Sequence, residues 1–98
     1  MNYPKVILVG MDGAMFDMVD RFIDDLPNFR AMREEGFFAP AHSCPTVDTP
    51  TNWTTIATGS NTGTHGITSF GVHSKGNPVT QSEYSFNNNH LCRSQYIW

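Results

Sequence analysis

The sequence predicts an α/β fold in which helices cover a parallel or mixed β-sheet, and three observations support this. A short apolar, β-branched run at residues 5–9 leads into the turn sequence Gly-Met-Asp-Gly. An amphipathic helical pattern follows that turn, and a further helix start stands at Thr49-Pro50. Strand, turn and helix in this order are typical of α/β proteins, whose ligand sites gather at the carboxyl ends of the strands.

Hydrophobic periodicity predicts the first strand and the first helix. Residues 5–9 alternate little between apolar and polar, which is typical of a strand buried on both faces. The turn at residues 10–13 then places Asp12 at the carboxyl end of this strand. Beyond the turn, helical spacing of the apolar residues predicts one amphipathic helix through Met15, Met18, Val19, Phe22, Ile23 and Leu26.

A second helix and a second strand are predicted next. Pro27 suits the first turn of a helix that runs to Glu35, and Gly36 is placed to cap that helix in the left-handed conformation. Residues 37–41 predict a strand, which Pro40 restricts to an edge or to a strand end.

A third helix is predicted from Pro50, with Thr49 as its N-cap and Gly59 just past its end. A loop of Ser, Asn, Thr and Gly follows and leads to His65. Residues 71–98 are poorly patterned and contain many turn formers, so a loop-rich segment is expected there.

Size and composition indicate one small domain with a modest core. Of the 98 residues, 39% are hydrophobic and 15% are charged, which excludes a charge-driven disordered chain. A net charge of -3, with six Lys and Arg and no basic stripe, argues against nucleic-acid binding. No apolar run suits a membrane span or a signal peptide, so no membrane partner is expected and the cytoplasm is predicted. Cys44 and Cys92 form no CxxC motif, and we expect reduced thiols rather than a disulfide.

Thr49 is the first candidate for chemistry, because it stands at a helix start. The free N–H groups and partial positive charge of a helix N-terminus favour both an alkoxide and a bound phosphate oxygen. A threonine hydroxyl needs a metal or a base before it acts as a nucleophile. The local sequence favours the simpler interpretation, in which Thr49 only caps the helix.

Asp12 is the candidate metal ligand. Its position after a predicted buried strand would project the carboxylate into a crevice where a divalent cation can bind. The same residue is equally suited to start the Asp-Gly turn or to cap the next helix. Asp12 and the Thr49 hydroxyl cannot complete a zinc site, which takes three or four protein ligands.

Asn52 and His65 are the candidates for contact with a substrate. Asn52 lies one turn into the predicted helix, where its amide can donate to a phosphate oxygen or stabilise the first turn. His65 follows a glycine-containing loop and can contact either substrate or the loop backbone, although a lone loop histidine is more often structural. The remaining histidines share no ligand spacing: His42, His73 and His90.

Three motifs, in this order, carry a resemblance to a known family: VILVGMDG, LPNFRAMREEG and PTVDTPTNWTTIATGSNTGTHGI. They resemble the N-terminal part of the alkaline phosphatase superfamily, nearest to the type I phosphodiesterase/nucleotide pyrophosphatase-like family. Its members commonly read T-P-x-x-W-T-T-x-x-T-G and later G-x-H-G-I, which corresponds here to residues 49–59 and 63–67. The resemblance covers residues 5–70.

The resemblance implies a metal-dependent phosphoester hydrolase with an alkaline-phosphatase-like sheet flanked by helices. In that family the aspartate after the first strand binds a metal and the threonine at the helix start is the nucleophile. These roles fall on Asp12 and Thr49, and they favour the nucleophile over the simple cap. The implied cofactors are two divalent ions, expected to be zinc, with Thr49 as a further ligand. The implied partner is a small-molecule phosphate ester, and the oligomeric state stays open.

The sequence also departs from the family pattern. The nucleotide pyrophosphatase branch has an asparagine near the position of Phe70, and members carry further Asp and His ligands that residues 71–98 do not supply. We therefore expect residues 1–98 to be the N-terminal part of one alkaline-phosphatase-like catalytic domain, weakly active or inactive alone. The alternatives are a sulfatase, a phosphonate hydrolase, a phosphoglycerate mutase-like enzyme, or a non-catalytic binding or remnant fragment.

Overall fold

A computed structural model describes residues 3–72, 76, 78, 83–84 and 88–98. The chain divides into two compact units, Met1–Ala41 and His42–Trp98, and each is described by itself. Within the described ranges, no helix is long and apolar enough to cross a membrane.

The first unit contains two short helices separated by a 3₁₀ turn. Their bounds are Phe16–Arg21 for α1, Ile23–Asp25 for the 3₁₀ turn and Pro27–Glu35 for α2. The predicted second helix is thus confirmed, with its proline in the first turn.

The prediction of one continuous helix from Met15 to Leu26 is wrong. The chain leaves the α conformation at Phe22, where φ is -108° and ψ is 20°. A proline disfavours helical geometry in the residue before it, and Leu26 accordingly has φ -118° and ψ 72°. The stretch before Pro27 therefore tightens into a 3₁₀ turn instead of continuing the α-helix.

Helix α2 ends at the predicted glycine, but this glycine does not adopt the predicted left-handed conformation. Gly36 is extended, with φ -122° and ψ -157°. A Cβ atom at this position would lie 2.7 Å from the carbonyl oxygen of Met32. The residue is therefore needed for a close approach of backbone to backbone, and not for its access to positive φ.

Neither predicted strand of the first unit is present. Residues 5–9 and 37–41 have no regular secondary structure. The apolar side chains between Val6 and Val9, predicted to be buried, are between 62% and 86% exposed. A strand takes its hydrogen bonds from a neighbouring strand, and the described residues of this unit supply no such neighbour.

The helices of the first unit meet through charged side chains. Arg33 pairs with Asp20, and an Arg30 nitrogen lies 2.6 Å from an Asp24 carboxylate oxygen. No described residue of this unit is buried. Exposed ion pairs add little stability, so the structure gives this unit little energetic support of its own.

The second unit is built on two helices, α3 at Thr49–Thr58 and α4 at Thr62–His65. Gly59 follows α3 in the left-handed conformation, with φ 67°, which confirms the predicted helix end. Helix α4 was predicted as a loop. It forms because the Asn61 side chain accepts the N–H of Thr64 at 3.0 Å and Gly66, with φ 79°, ends the turn.

The remainder of the second unit folds back on these helices. Strand β1 (Gly71–Val72) pairs antiparallel with β2 (Glu83–Tyr84), and a 3₁₀ turn follows at Asn88–Leu91. Further along, the N–H of Arg93 donates to the His65 carbonyl at 3.0 Å, and the N–H of Ile97 donates to the Ala57 carbonyl at 2.9 Å. Much of the segment predicted to be loop-rich lies outside the described residues.

Buried residues, as far as the structure describes them, all lie in the second unit. Ala57 and Ile67 are the apolar members. The polar members outnumber them: Thr51, Thr54, His65 and Asn88. The described chain is therefore mainly helical, with a largely polar interior, and the predicted helix-covered sheet is not seen within it.

Candidate functional site

Thr49 is the first residue of α3, but it is not the cap of that helix. Asp48 is the N-cap: its Oδ1 accepts the N–H of Thr49 at 2.9 Å, and its carbonyl oxygen accepts the N–H of Asn52 at 3.0 Å. The predicted cap at Thr49 is wrong because the aspartate one residue earlier takes that place. The hydroxyl of half-buried Thr49 makes no hydrogen bond to another described residue, so it is available for chemistry.

The electrostatic environment of Thr49 combines opposite contributions. The start of α3 places the positive end of the helix dipole at this residue, which favours an anion. The carboxylate of Asp48, adjacent in the chain, opposes an anion. A phosphate group bound at Thr49 therefore needs additional positive charge to offset Asp48.

Asn52 joins the first turn of α3 to the chain that precedes it. Its Nδ2 donates to the carbonyl of Asp48 at 2.9 Å, and its Oδ1 accepts the N–H of Cys44 at 3.1 Å. These bonds show the stabilising role that the sequence offered as the alternative. Contact between Asn52 and a phosphate oxygen stays a prediction.

Residues 44–48, which we call the approach segment, form neither helix nor strand. Two threonines fix its middle. The Thr62 hydroxyl donates to the Pro45 carbonyl at 2.5 Å, and the Thr46 hydroxyl donates to the Thr68 carbonyl at 2.6 Å. The chain leading into Thr49 is thus held by hydrogen bonds to residues that follow α3 in the chain.

His65 is fully buried, and both of its ring nitrogens have partners. Nδ1 accepts the N–H of Ile67 at 3.0 Å, and Nε2 lies 3.0 Å from Oγ1 of Thr55. An acceptor at Nδ1 means that the ring is neutral and carries its hydrogen on Nε2, which donates to Thr55. Burial also lowers the pKa of His65, which favours the neutral ring. The histidine contacts the loop backbone, while its contact with substrate stays a prediction.

Half-buried Cys44 completes this group of contacts. Its Sγ lies 3.1 Å from Oγ1 of Thr55 and 3.4 Å from Oγ1 of Thr62. Hydrogen bonds lower the pKa of the Cys44 thiol because they stabilise the thiolate. The bond from Thr55 has the largest effect, and the bond from Thr62, whose one hydroxyl hydrogen is shared with the Pro45 carbonyl, comes second. Cys44 and Cys92 are both free, as predicted.

Asp12 lies in an exposed turn that Gly13 completes with φ 68°. It belongs to the first unit and Thr49 to the second, so their pairing at a metal stays a prediction. Among the residues that the structure describes, no three His, Cys, Asp or Glu side chains come together to hold a metal ion. Asp12 and Thr49 by themselves do not fit a complete divalent-metal site.

Sequence reasoning missed Asp48, Thr55 and Thr62. Asp48 had a local signal, since Asp directly precedes Thr-Pro and ranks above Thr as an N-cap. Thr55 and Thr62 had none, because the Cys44 sulfur they contact lies 11 and 18 residues away in the chain.

A comparison with protein-family models agrees with the motifs around Thr49. The model of the type I phosphodiesterase/nucleotide pyrophosphatase family matches residues 6–98. Comparisons with curated proteins and with solved structures each gave no match. The family match includes residues 6–9 of the predicted first strand, the four helices of the described residues and the segment after residue 70. The chain therefore belongs to the type I phosphodiesterase/nucleotide pyrophosphatase family.

Proposed function

We propose that this chain carries the nucleophile of a phosphoester hydrolase, and that the nucleophile is Thr49. Membership of the family supports a phosphodiesterase or pyrophosphatase type of reaction. The residue assignment is supported by one observation above all: Asp48 caps α3, and the Thr49 hydroxyl at the positive end of the helix has no hydrogen bond to another described residue.

The proposed reaction has two steps. First, Oγ1 of Thr49 bonds to phosphorus, the bond from phosphorus to the leaving oxygen breaks, and the hydroxyl proton passes to solvent or a base. Second, water attacks phosphorus, the bond to Oγ1 breaks and the threonine hydroxyl is restored. The dipole of α3 stabilises negative charge on the phosphoryl oxygens in both steps. The substrate is a small-molecule phosphate ester, with Asn52 and His65 retained as proposed contacts.

Two divalent ions, with zinc preferred, stay part of the proposal as cofactors. Asp12 and Thr49 are the ligands that this chain would contribute. Because these two do not fit a complete site, the steps above assign no role to a metal. The need to offset the charge of Asp48 is the physical reason to expect cations beside Thr49.

The fold and compartment proposed for this activity go beyond the described structure. The fold proposed for it is an alkaline-phosphatase-like sheet flanked by helices. The cytoplasm is the compartment proposed for it.

The test compares Thr49→Ala and Thr49→Ser with the parent chain. The substrates are nitrophenyl esters, namely a phosphodiester, a phosphomonoester and a sulfate, each with added zinc or manganese. We expect Thr49→Ala to lose about 100-fold or more in kcat and Thr49→Ser to keep part of the rate. Mass spectrometry of the Thr49 peptide should then detect the phosphorylated intermediate.

Thr58→Val is the matched control, because it removes a hydroxyl from the other end of α3, where Oγ1 donates to the Thr54 carbonyl at 2.7 Å. Its rate should equal that of the parent. Equal rates for Thr49→Ala and the parent would contradict the nucleophile assignment. Hydrolysis of the sulfate ester alone would replace the proposed substrate class.

A further inference from the structure

The approach segment reaches Thr49 without support from regular secondary structure. Among the described residues, it has one backbone hydrogen bond of its own, from the N–H of Asp48 to the carbonyl of Thr46 at 2.8 Å. Its other bonds, apart from the Asp48 bonds to α3, involve side chains. The orientation of Thr49 relative to the preceding chain is thus set by a few directional side-chain contacts.

The hydrogen bonds that run from Ile67 through His65 and Thr55 to Cys44 can be assigned donors and acceptors in only one consistent order. The N–H of Ile67 donates to Nδ1 of His65, so the hydrogen of the neutral ring is on Nε2 and donates to Oγ1 of Thr55. The Thr55 oxygen is then the acceptor toward the ring, which leaves its own hydrogen for Sγ of Cys44 at 3.1 Å. Reversing the series would put a hydrogen on Nδ1, directly against the N–H of Ile67.

We propose that His65 is a positioning residue, which acts through Thr55 and Cys44 to hold the approach segment and thereby Thr49. Its ring has 0% exposure, and both of its nitrogens already have hydrogen-bond partners. Its two nitrogens link the loop after α4 to Thr55 in α3, and Thr55 in turn contacts Cys44, the first residue of the approach segment. The effect on catalysis rests on the proposed function, whereas the effect on the approach segment does not.

The structural test begins with the tautomer of His65 in the parent chain, read from long-range ¹H–¹⁵N couplings of the imidazole. The hydrogen should be on Nε2. Amide hydrogen exchange at Cys44 and Thr49 is then measured in Thr55→Val, which removes the hydroxyl at constant volume. We expect exchange at both amides to become about tenfold faster, as for the loss of one hydrogen bond.

Two variants make the result specific. Thr55→Ser keeps the hydroxyl and should restore slow exchange. Thr58 lies on the same helix and its hydroxyl donates to the Thr54 carbonyl, so Thr58→Val should leave exchange at Cys44 and Thr49 unchanged. A hydrogen on Nδ1, or unchanged exchange in Thr55→Val, would overturn the proposal.

The activity measurement separates this proposal from the proposed function. Displacing the nucleophile should lower kcat in Thr55→Val about tenfold or more with KM unchanged. A raised KM with unchanged kcat in Thr55→Val would indicate that this group of side chains contacts the substrate directly. It would overturn the positioning role of His65. Full activity in Thr49→Ala, together with faster amide exchange in Thr55→Val, would refute the proposed function while supporting the hold on the approach segment.

Discussion

Thr51 provides the most direct test of the energetics in this interior. It lies in the first turn of α3 with 0% exposure, and its hydroxyl has no hydrogen-bond partner among the described residues. Replacing it with valine keeps the shape and removes the unpaired group. A buried polar group without a partner costs about 1–3 kcal/mol, while Thr and Val differ little in helix propensity. We therefore expect Thr51→Val to raise the free energy of unfolding by about 1 kcal/mol.

The assay is equilibrium unfolding in urea, followed by the fluorescence of half-buried Trp53 in a Trp98→Phe background. With a slope of about 1–2 kcal/mol/M, the midpoint should rise by roughly 0.5–1 M. Thr54→Val is the matched control three residues along the same helix. Its hydroxyl donates to the Pro50 carbonyl at 2.7 Å, so this variant should lose about 1 kcal/mol.

Opposite signs for the two valine variants are the decisive result. A lower midpoint for Thr51→Val would mean that its hydroxyl has a partner, and it would refute the description of this helix start. A rise for both variants would show that apolar volume, rather than hydrogen bonding, sets the stability of this interior.

Three further predictions concern the residues around Thr49. Asp48→Ala should lower the free energy of unfolding by about 1 kcal/mol, because the helix loses its cap. Asp48→Asn keeps a capping side chain and should retain most of the parent's stability, and urea midpoints measure both effects. Because burial lowers the pKa of His65, the unfolded chain binds more protons than the folded one below neutral pH. Stability should therefore fall as pH drops through the ordinary histidine range, and His65→Gln should flatten this dependence. Thr55→Val should raise the pKa of Cys44, seen as slower alkylation of its peptide by iodoacetamide near neutral pH, and an unchanged rate would refute the hydrogen bond to sulfur.

Elements with local signals could be predicted from the sequence. Pro27 fixed the start of α2, and Gly59 fixed the end of α3, because proline and glycine act on their own backbone dihedrals. The start of α3 was located to within one residue. The error lay in choosing Thr49 over Asp48 as the cap, although both residue types favour that position.

Features that depend on distant partners could not be predicted in this way. Residues 5–9 have the composition of a buried strand, but composition does not supply the neighbouring strand that such a segment needs. The contacts of Thr55 with His65 and Cys44 span 10 and 11 residues of chain and leave no periodic pattern. His65 was recognised as a candidate, but its role depends on partners that only the structure brings together.

The polar interior of the second unit restricts how this sequence can vary. An apolar core accepts many combinations of side chains with the same total volume. The path from His65 through Thr55 to Cys44 needs a donor and an acceptor in a fixed order at each position, so few combinations satisfy it. In a library of variants, many members that remain soluble and folded would have lost this order of hydrogen-bond donors and acceptors. Selection for folding alone would therefore fail to recover the geometry around Thr49, and a screen has to select for that geometry itself.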